Sequence, residues 1–223
     1  DYSGLLHSLG ISPGWLDEPR ARITPEQFTA LLQGLWLALD DEYLGLAEGR
    51  SKCGTFAMMC HALIHCGTLE KAFSRGLLFY SLFPHSPRLT LSREDKWVRL
   101  SLDDARLADP DHFLSESLLV TWHRLGSWLI GQRIRLEQAS FRYNEPDHGA
   151  EYELMFSCPL AFDAECTSLL FHSRYLSMPL LQDERTLKHF LERSPADLLA
   201  RPDEGDSMCS RLRRQLGRDS MCS

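Results

Sequence analysis

Apolar residues recur at helical spacing through the first half of the chain and at a period of two in its middle. Phe28, Leu31, Leu32, Leu35 and Leu39 fall at intervals of one, three or four, which places them on one face of an amphipathic helix. Its start is marked chemically as well: Thr24 can cap it, Pro25 suits the first helical position, and Gln27 completes a capping box. A second helix is expected over 54–65. Gly67 ends that segment, and Thr68 caps a third helix carrying Leu69, Ala72, Phe73, Leu77 and Tyr80, which Pro84 and Pro87 stop.

The period then changes. Leu89 and Leu91, followed by Val98, Leu100 and Leu102, alternate with polar residues on either side of Arg93-Glu94-Asp95, and this predicts a β-hairpin turning at that segment. Asp109-Pro110 opens the longest helix. Its stripe is Leu114, Leu118, Trp122, Leu125 and Leu129, and Gly131 marks its end. Residues 134–143 read as a strand with Ala139, Phe141 and Tyr143 on one face. A short helix over 150–156, two short strands over 158–162 and 168–172, and helices over 184–193 and 195–200 complete the pattern. The order is neither a βαβ alternation nor strands alone. It predicts an α+β domain, with helices packed around an antiparallel or mixed sheet of about five strands. Residues 1–200 form one unit on this reading, and 201–223 a basic tail. Within that tail DSMCS occurs at 206–210 and again at 219–223. The spacing matches no solenoid period and reads as an accidental duplication.

Composition narrows the function classes. The chain has 223 residues, 43% hydrophobic and 25% charged, enough to bury a core without disulfide or metal staples. Its net charge of −7 argues against this piece holding duplex DNA or an anionic membrane by itself, because phosphate contact needs a basic surface. No apolar run approaches the roughly 18 residues of a membrane span, and no secretory leader pattern is visible. The seven cysteines are odd in number, irregularly spaced and without a C-x-x-C, as expected of reduced thiols in a cytoplasmic protein.

Candidate chemistry is sparse. In CHALIHC, His61 and His65 lie one helical turn apart between Cys60 and Cys66, a spacing that can hold zinc. The H-E-x-x-H signature is absent, however, and the rest of the segment is apolar, so a core helix without metal is the expectation. A cysteine nucleophile with His172 or His123 as partner has no local signature. The pairs Asp40-Asp41 and Asp103-Asp104 suit helix caps better than acid–base work. There is no phosphate-binding glycine loop and no nucleophile elbow. No catalytic residue and no cofactor is therefore assigned, and the chain is not read as an enzyme. The aromatic content from Phe73 to Trp128, with Arg75 and Arg124 nearby, suits an apolar pocket with a few polar anchors. Tyr80, Trp97, Trp122 and Arg124 are the candidate lining, set between the helices and the sheet, for a small, largely apolar or weakly acidic effector. Core packing is the alternative for each aromatic, above all for Trp122.

Two blocks carry a family resemblance. The first is GISPGWLDEPRARITPEQF, with Gly10, Leu16, Asp17, Pro19, Arg22 and Ile23, continued by Leu35, Trp36, Asp40, Gly45-Leu46, Gly54, Thr68-Leu69 and Ala72. The second is FRYNEPDHGAEYELMFSCPLAFDAECTSLLFHSRYLSMPL, with Phe141, Pro146, Tyr152, Phe156, Pro159, Phe162, Ala164, Leu169, Phe171, Leu176 and Pro179-Leu180. In order and spacing they resemble the arabinose-binding domain that precedes the helix-turn-helix region in AraC-type bacterial transcription regulators. The resemblance covers nearly the whole chain. It implies an effector-binding or dimerisation domain over 1–200 and a homodimer as the partner state. It also implies DNA contact only through a C-terminal helix-turn-helix domain missing here, toward which the basic segment RLRRQLGR (211–218) would lead. A ligand-free self-association module is the alternative. The helical stripes at 28–39, 69–80 and 114–129 depart from the β-sandwich of the sugar-binding member that named the family. Neither that fold nor a sugar ligand is carried over.

Overall fold

The computed structural model describes residues 2–18, 21–105 and 107–194. The chain order within them is α1 (Tyr2–Ser8), α2 (Pro25–Leu39), α3 (Thr55–Leu63), α4 (Leu69–Ser81), β1 (Arg88–Glu94), β2 (Trp97–Asp103), α5 (Phe113–Leu129), β3 (Leu136–Ser140), α6 (Gly149–Phe156), β4 (Leu160–Ala161), β5 (Thr167–His172) and α7 (Glu184–Arg193), with short 3-10 turns at Pro13–Asp17 and Ser173–Tyr175. The five strands form one sheet in the order β1-β2-β5-β3-β4. All neighbours are antiparallel except the β3–β4 pair, so the fold is α+β with a mixed sheet. The helix expected over 195–200 and the tail over 201–223 lie outside the described residues.

Local chemistry explains most element ends. Thr24 and Gln27 form the reciprocal capping box at the start of α2, and the Thr68 hydroxyl accepts the Lys71 N–H at the start of α4. The structure corrects the details of three elements. The hairpin turns at Asp95-Lys96, because Arg93 and Glu94 still pair with Val98 and Trp97; Asp95 takes the left-handed conformation (φ 53°), which aspartate tolerates. The longest helix begins at Phe113 rather than at Pro110. Asp109 caps it from four residues upstream of its first residue, accepting the Ser115 N–H at 2.8 Å and the Ser115 hydroxyl at 3.0 Å. The segment 158–162 shrinks to a two-residue strand, with the Pro159 and Ala161 carbonyls accepting from the Ala139 and Phe141 amides. The paired aspartates also differ from expectation. Asp40 is the left-handed C-cap residue of α2, Asp41 binds loop amides, and Asp104 bonds Arg142 and Thr167.

Packing centres on α5. Its Leu119 and Val120 join Leu102, Ala139, Phe141, Tyr152, Phe156 and Leu169 in one apolar cluster. Its Trp122, Leu125 and Leu129 join Met59, Leu63, Phe73, Val98, Leu100 and Phe171 in the other. Burying a side chain of this kind contributes about 1.5–3 kcal/mol, so the helix that joins both clusters carries much of the core. Two glycines let α4 and α5 approach. A Cβ on Gly76 of α4 would stand 2.7 Å from the Trp122 ring, and one on Gly126 of α5 would stand 2.6 Å from the Phe73 ring. Each helix thus seats its aromatic over the other's glycine, and the two rings meet edge to face with centroids 5.4 Å apart.

Two outcomes follow. Helix propensity alone would make Gly126→Ala stabilising by about 1 kcal/mol. The seat for Phe73 reverses that sign, and urea unfolding should show a loss of about 1–3 kcal/mol; an unchanged or raised midpoint contradicts the interlock. His123 gives a pH signature. It is buried on α5, and its Nε2 lies 2.8 Å from the Ile134 carbonyl, so Nε2–H donates. Burial first, then the charges of Arg124 and Arg133, lower its pKa from 6.5 to about 4. Neutral in the fold, it contributes its full stabilisation above about pH 6.5. That contribution falls away as the pH drops toward 4, by roughly 3 kcal/mol in all. Unfolding midpoints of His123→Gln should lack this part of the acid slope, and identical slopes in variant and parent would contradict the assignment.

Candidate functional site

Beyond the left-handed Asp40 at the end of α2, the chain makes a loop held by two carboxylates. Asp41 is buried and accepts the backbone N–H groups of Tyr43, Gly45 and Ser51 at 2.8–3.0 Å. Glu42 reaches the start of α3, where the cap residue Gly54 has no side chain to offer. Its Oε1 accepts the Gly54 N–H at 2.8 Å, and its Oε2 accepts the Phe56 N–H at 3.0 Å and the Ser51 hydroxyl at 3.1 Å. A carboxylate at a helix N-terminus also meets the positive end of the helix dipole. Tyr43 shares a 2.8 Å hydrogen bond with Ser86.

Behind the loop lies a cavity of about 380 Å³, walled by α2, α3, α4, α5, the end of α7 and the start of β1. Trp36, Tyr43, Phe56, Tyr80, Phe113 and Trp122 supply aromatic surface, and Leu32, Met59 and Leu125 aliphatic surface. Ser117 and Thr121 add hydroxyl groups from α5; among the described residues Glu42 is the one carboxylate, and no lysine, arginine or histidine lines the space. The volume and mixture are those of small-molecule pockets.

Burial tunes these groups in one direction. It raises Glu42 above the ordinary carboxylate range, although three hydrogen bonds act the other way. It pushes the Tyr43 phenol up to about 12. Tyr80 rises well above 10, first through burial and then through the negative charge it would share with Tyr43, Glu42 and Cys60. All three respond to the cost of a buried negative charge.

The structure brings together two of the four residues singled out by sequence. Tyr80 and Trp122 both line the cavity, with ring centroids 6.4 Å apart. Trp97 stands at the far end of the hairpin, edge-on to His172 at 5.5 Å and beneath the Lys96 ammonium at 5.3 Å. Arg124 lies half-buried on α5 outside the cavity; burial and then Arg133 lower its pKa to about 10. The sheet contributes little to the walls beyond Leu89. Sequence reasoning missed Trp36, Glu42, Tyr43, Phe56 and Phe113. Trp36 follows directly after Leu35 of the α2 stripe, which is a signal in hindsight, whereas Glu42 carries none.

The other chemical candidates have structural partners. His61 Nδ1 and His65 Nε2 each take a different oxygen of Glu184 on α7, at 3.2 and 2.9 Å. Among the described residues no group of three His, Cys, Asp or Glu is arranged to hold a metal ion. The buried Cys60 thiol is pushed well up by desolvation, and that of Cys158 to about 11. His172 and His123 each spend a ring nitrogen on the backbone.

Comparison with known proteins matches residues 1–180 to the family described as the arabinose-binding domain of AraC transcription regulator, N-terminal. The chain is 24% identical over 214 residues to an ornithine utilization regulator from Pseudomonas aeruginosa, covering 95% of this chain and 63% of that protein. A search of solved structures returns the transcriptional regulator CdpR from the same organism, at 17% identity with a TM-score of 0.46, over 83% of this chain and 57% of that one. The chain thus spans less than two thirds of the length of either. With four fifths of its residues inside the family match, it belongs to the arabinose-binding domain family found at the N-terminus of AraC transcription regulators.

Proposed function

We propose that this domain senses a small-molecule effector in the cavity behind the 41–54 loop and passes its occupancy to the DNA-reading half of a bacterial transcription regulator. The observation that carries the reading is the cavity itself: about 380 Å³ of aromatic-lined space beside the packed core. The role needs no catalytic group, and the protein acts in the cytoplasm. DNA is bound through a further domain, since a net charge of −7 gives this one no basic footprint.

The fold suggests how occupancy is read out. α7 docks through Leu187 and Phe190, with Phe190 stacked on Trp128 at 4.3 Å. Its end reaches the cavity: Leu191 and Ser194 line it, and the Ser194 carbonyl accepts the Gln33 side-chain amide at 2.8 Å. Beyond this point the chain runs toward the basic tail. A ligand that changes the seat of α7 is thereby coupled to the sequence that follows it, as a population shift between two seats.

Self-association is a second component. Leu37 on α2 and Leu78 on α4 are 74% and 64% exposed, and Leu82 just beyond α4 is 71% exposed, an apolar set of the kind that interfaces cover. A homodimer is the expected state, measurable by sedimentation.

The sensing role is tested by ligand-induced stabilisation. A compound present at about 100 times its dissociation constant adds about 2.7 kcal/mol, which for a domain of this size raises the melting temperature by about 5–10 °C. Ala57 lines the cavity, and Ala57→Phe should fill it, abolishing the shift while the unliganded variant still melts cooperatively. A stabilising compound whose effect survives Ala57→Phe unchanged would place the effector elsewhere.

A further inference from the structure

The chemical class of the ligand is legible in the charge balance of the cavity, on the condition that the cavity is the effector site. Its walls hold one carboxylate, that of Glu42, and among the described residues no cationic side chain. Among the described residues an incoming carboxylate would find no counter-ion, and it would stand close to a second negative charge, which a desolvated site penalises. A cation meets the opposite conditions. Trp36, Tyr80 and Trp122 line the space, and aromatic faces attract ammonium groups, most strongly when water is excluded.

The hydrogen-bond inventory of Glu42 gives a place for that cation. A carboxylate offers about four acceptor sites. Oε2 takes two donors, from Phe56 and Ser51, while Oε1 takes one, from Gly54. One site on Oε1 therefore stays open. Tyr80 lines the same cavity as Glu42, and its hydroxyl has no protein hydrogen bond among the described residues. A protonated amine donates to both and still has a third N–H for Ser117 or Thr121.

We propose that the cavity binds small organic amines in their protonated form, with the ammonium against Glu42 and Tyr80 and the apolar body along Trp36 and Trp122. This reverses the preference for a weakly acidic effector suggested by the arginines of 73–128, because Arg124 stands outside the cavity. The raised pKa of Glu42 is consistent with a carboxylate that lacks its partner until the ligand arrives.

The test compares three near-isosteric probes on the 223-residue chain by calorimetry or ligand-observed NMR at millimolar concentration: phenethylamine, 2-phenylethanol and phenylacetate. The expected order is amine over alcohol by about tenfold or more, with phenylacetate unbound. Glu42→Gln should remove the amine's advantage and leave the alcohol's affinity in place. Retained alcohol binding also shows that the variant keeps its fold. Binding of phenylacetate as tight as that of the amine overturns the proposal while leaving the cavity as an effector site. So does an amine preference that survives Glu42→Gln. Failure of all three probes to bind overturns both readings.

Discussion

The exchange of aromatic rings and glycines between α4 and α5 is the contact on which the rest of the structure depends. Without side chains at Gly76 and Gly126, Trp122 and Phe73 cross the helix interface and enclose each other. Close approach at each seat needs a residue without a side chain there. Its consequence reaches in two directions. Toward the sheet, it presses α5 onto β2 and β5 and joins the two apolar clusters. Away from the sheet, it holds one edge of Trp122 beside Tyr80 and so builds a wall of the cavity. The rigid part of the site therefore has the stability of the core, whereas the opposite wall is a loop.

That loop is fixed by different physics. Asp41 and Glu42 replace regular secondary structure with carboxylate-to-amide bonds, which are stronger than neutral ones. Asp41 is spent entirely on the loop's own backbone, while Glu42 keeps an open acceptor site and faces the cavity. A half-buried carboxylate with no ion pair among the described residues costs free energy, and here part of that cost is offset by the helix dipole of α3. The rest remains as an unmet demand for positive charge, which is the feature a ligand can satisfy. The site thus combines a fixed aromatic wall with an electrostatic imbalance on the loop opposite.

The fold was legible in the sequence where its causes are local. The capping box at Thr24 and Gln27, the cap at Thr68, the hairpin and the stripe of α5 each depend on residues within a few positions of one another, and each is present, with only the turn of the hairpin displaced to Asp95-Lys96. Other details that shifted depend on longer reach: Asp109 caps α5 from outside the helix, and β4 is limited to the two residues that pair with Ala139 and Ser140 of β3. α1 has no stripe or cap that would announce it. The cavity was legible only in kind. An aromatic surplus over 73–128 pointed to a pocket, but its walls come from five helices spread over the chain. Two tryptophans of similar appearance in sequence, Trp97 and Trp122, end on opposite fates because one faces away from the packed side of the hairpin and the other lies in the stripe of α5. Glu42 was invisible, since a charged residue after a helix ordinarily faces water.

The central claim is that small molecules enter the space between the α4–α5 interlock and the 41–54 loop. The five tryptophans report on it directly, since Trp36 and Trp122 line the space whereas Trp15, Trp97 and Trp128 do not. Fluorine NMR of the protein carrying 5-fluorotryptophan, titrated with phenethylamine, should move the resonances of Trp36 and Trp122 with a single saturating dependence. The resonances of Trp15 and Trp97 should stay fixed. Movement confined to Trp97, or equal small shifts at all five positions, would contradict the account.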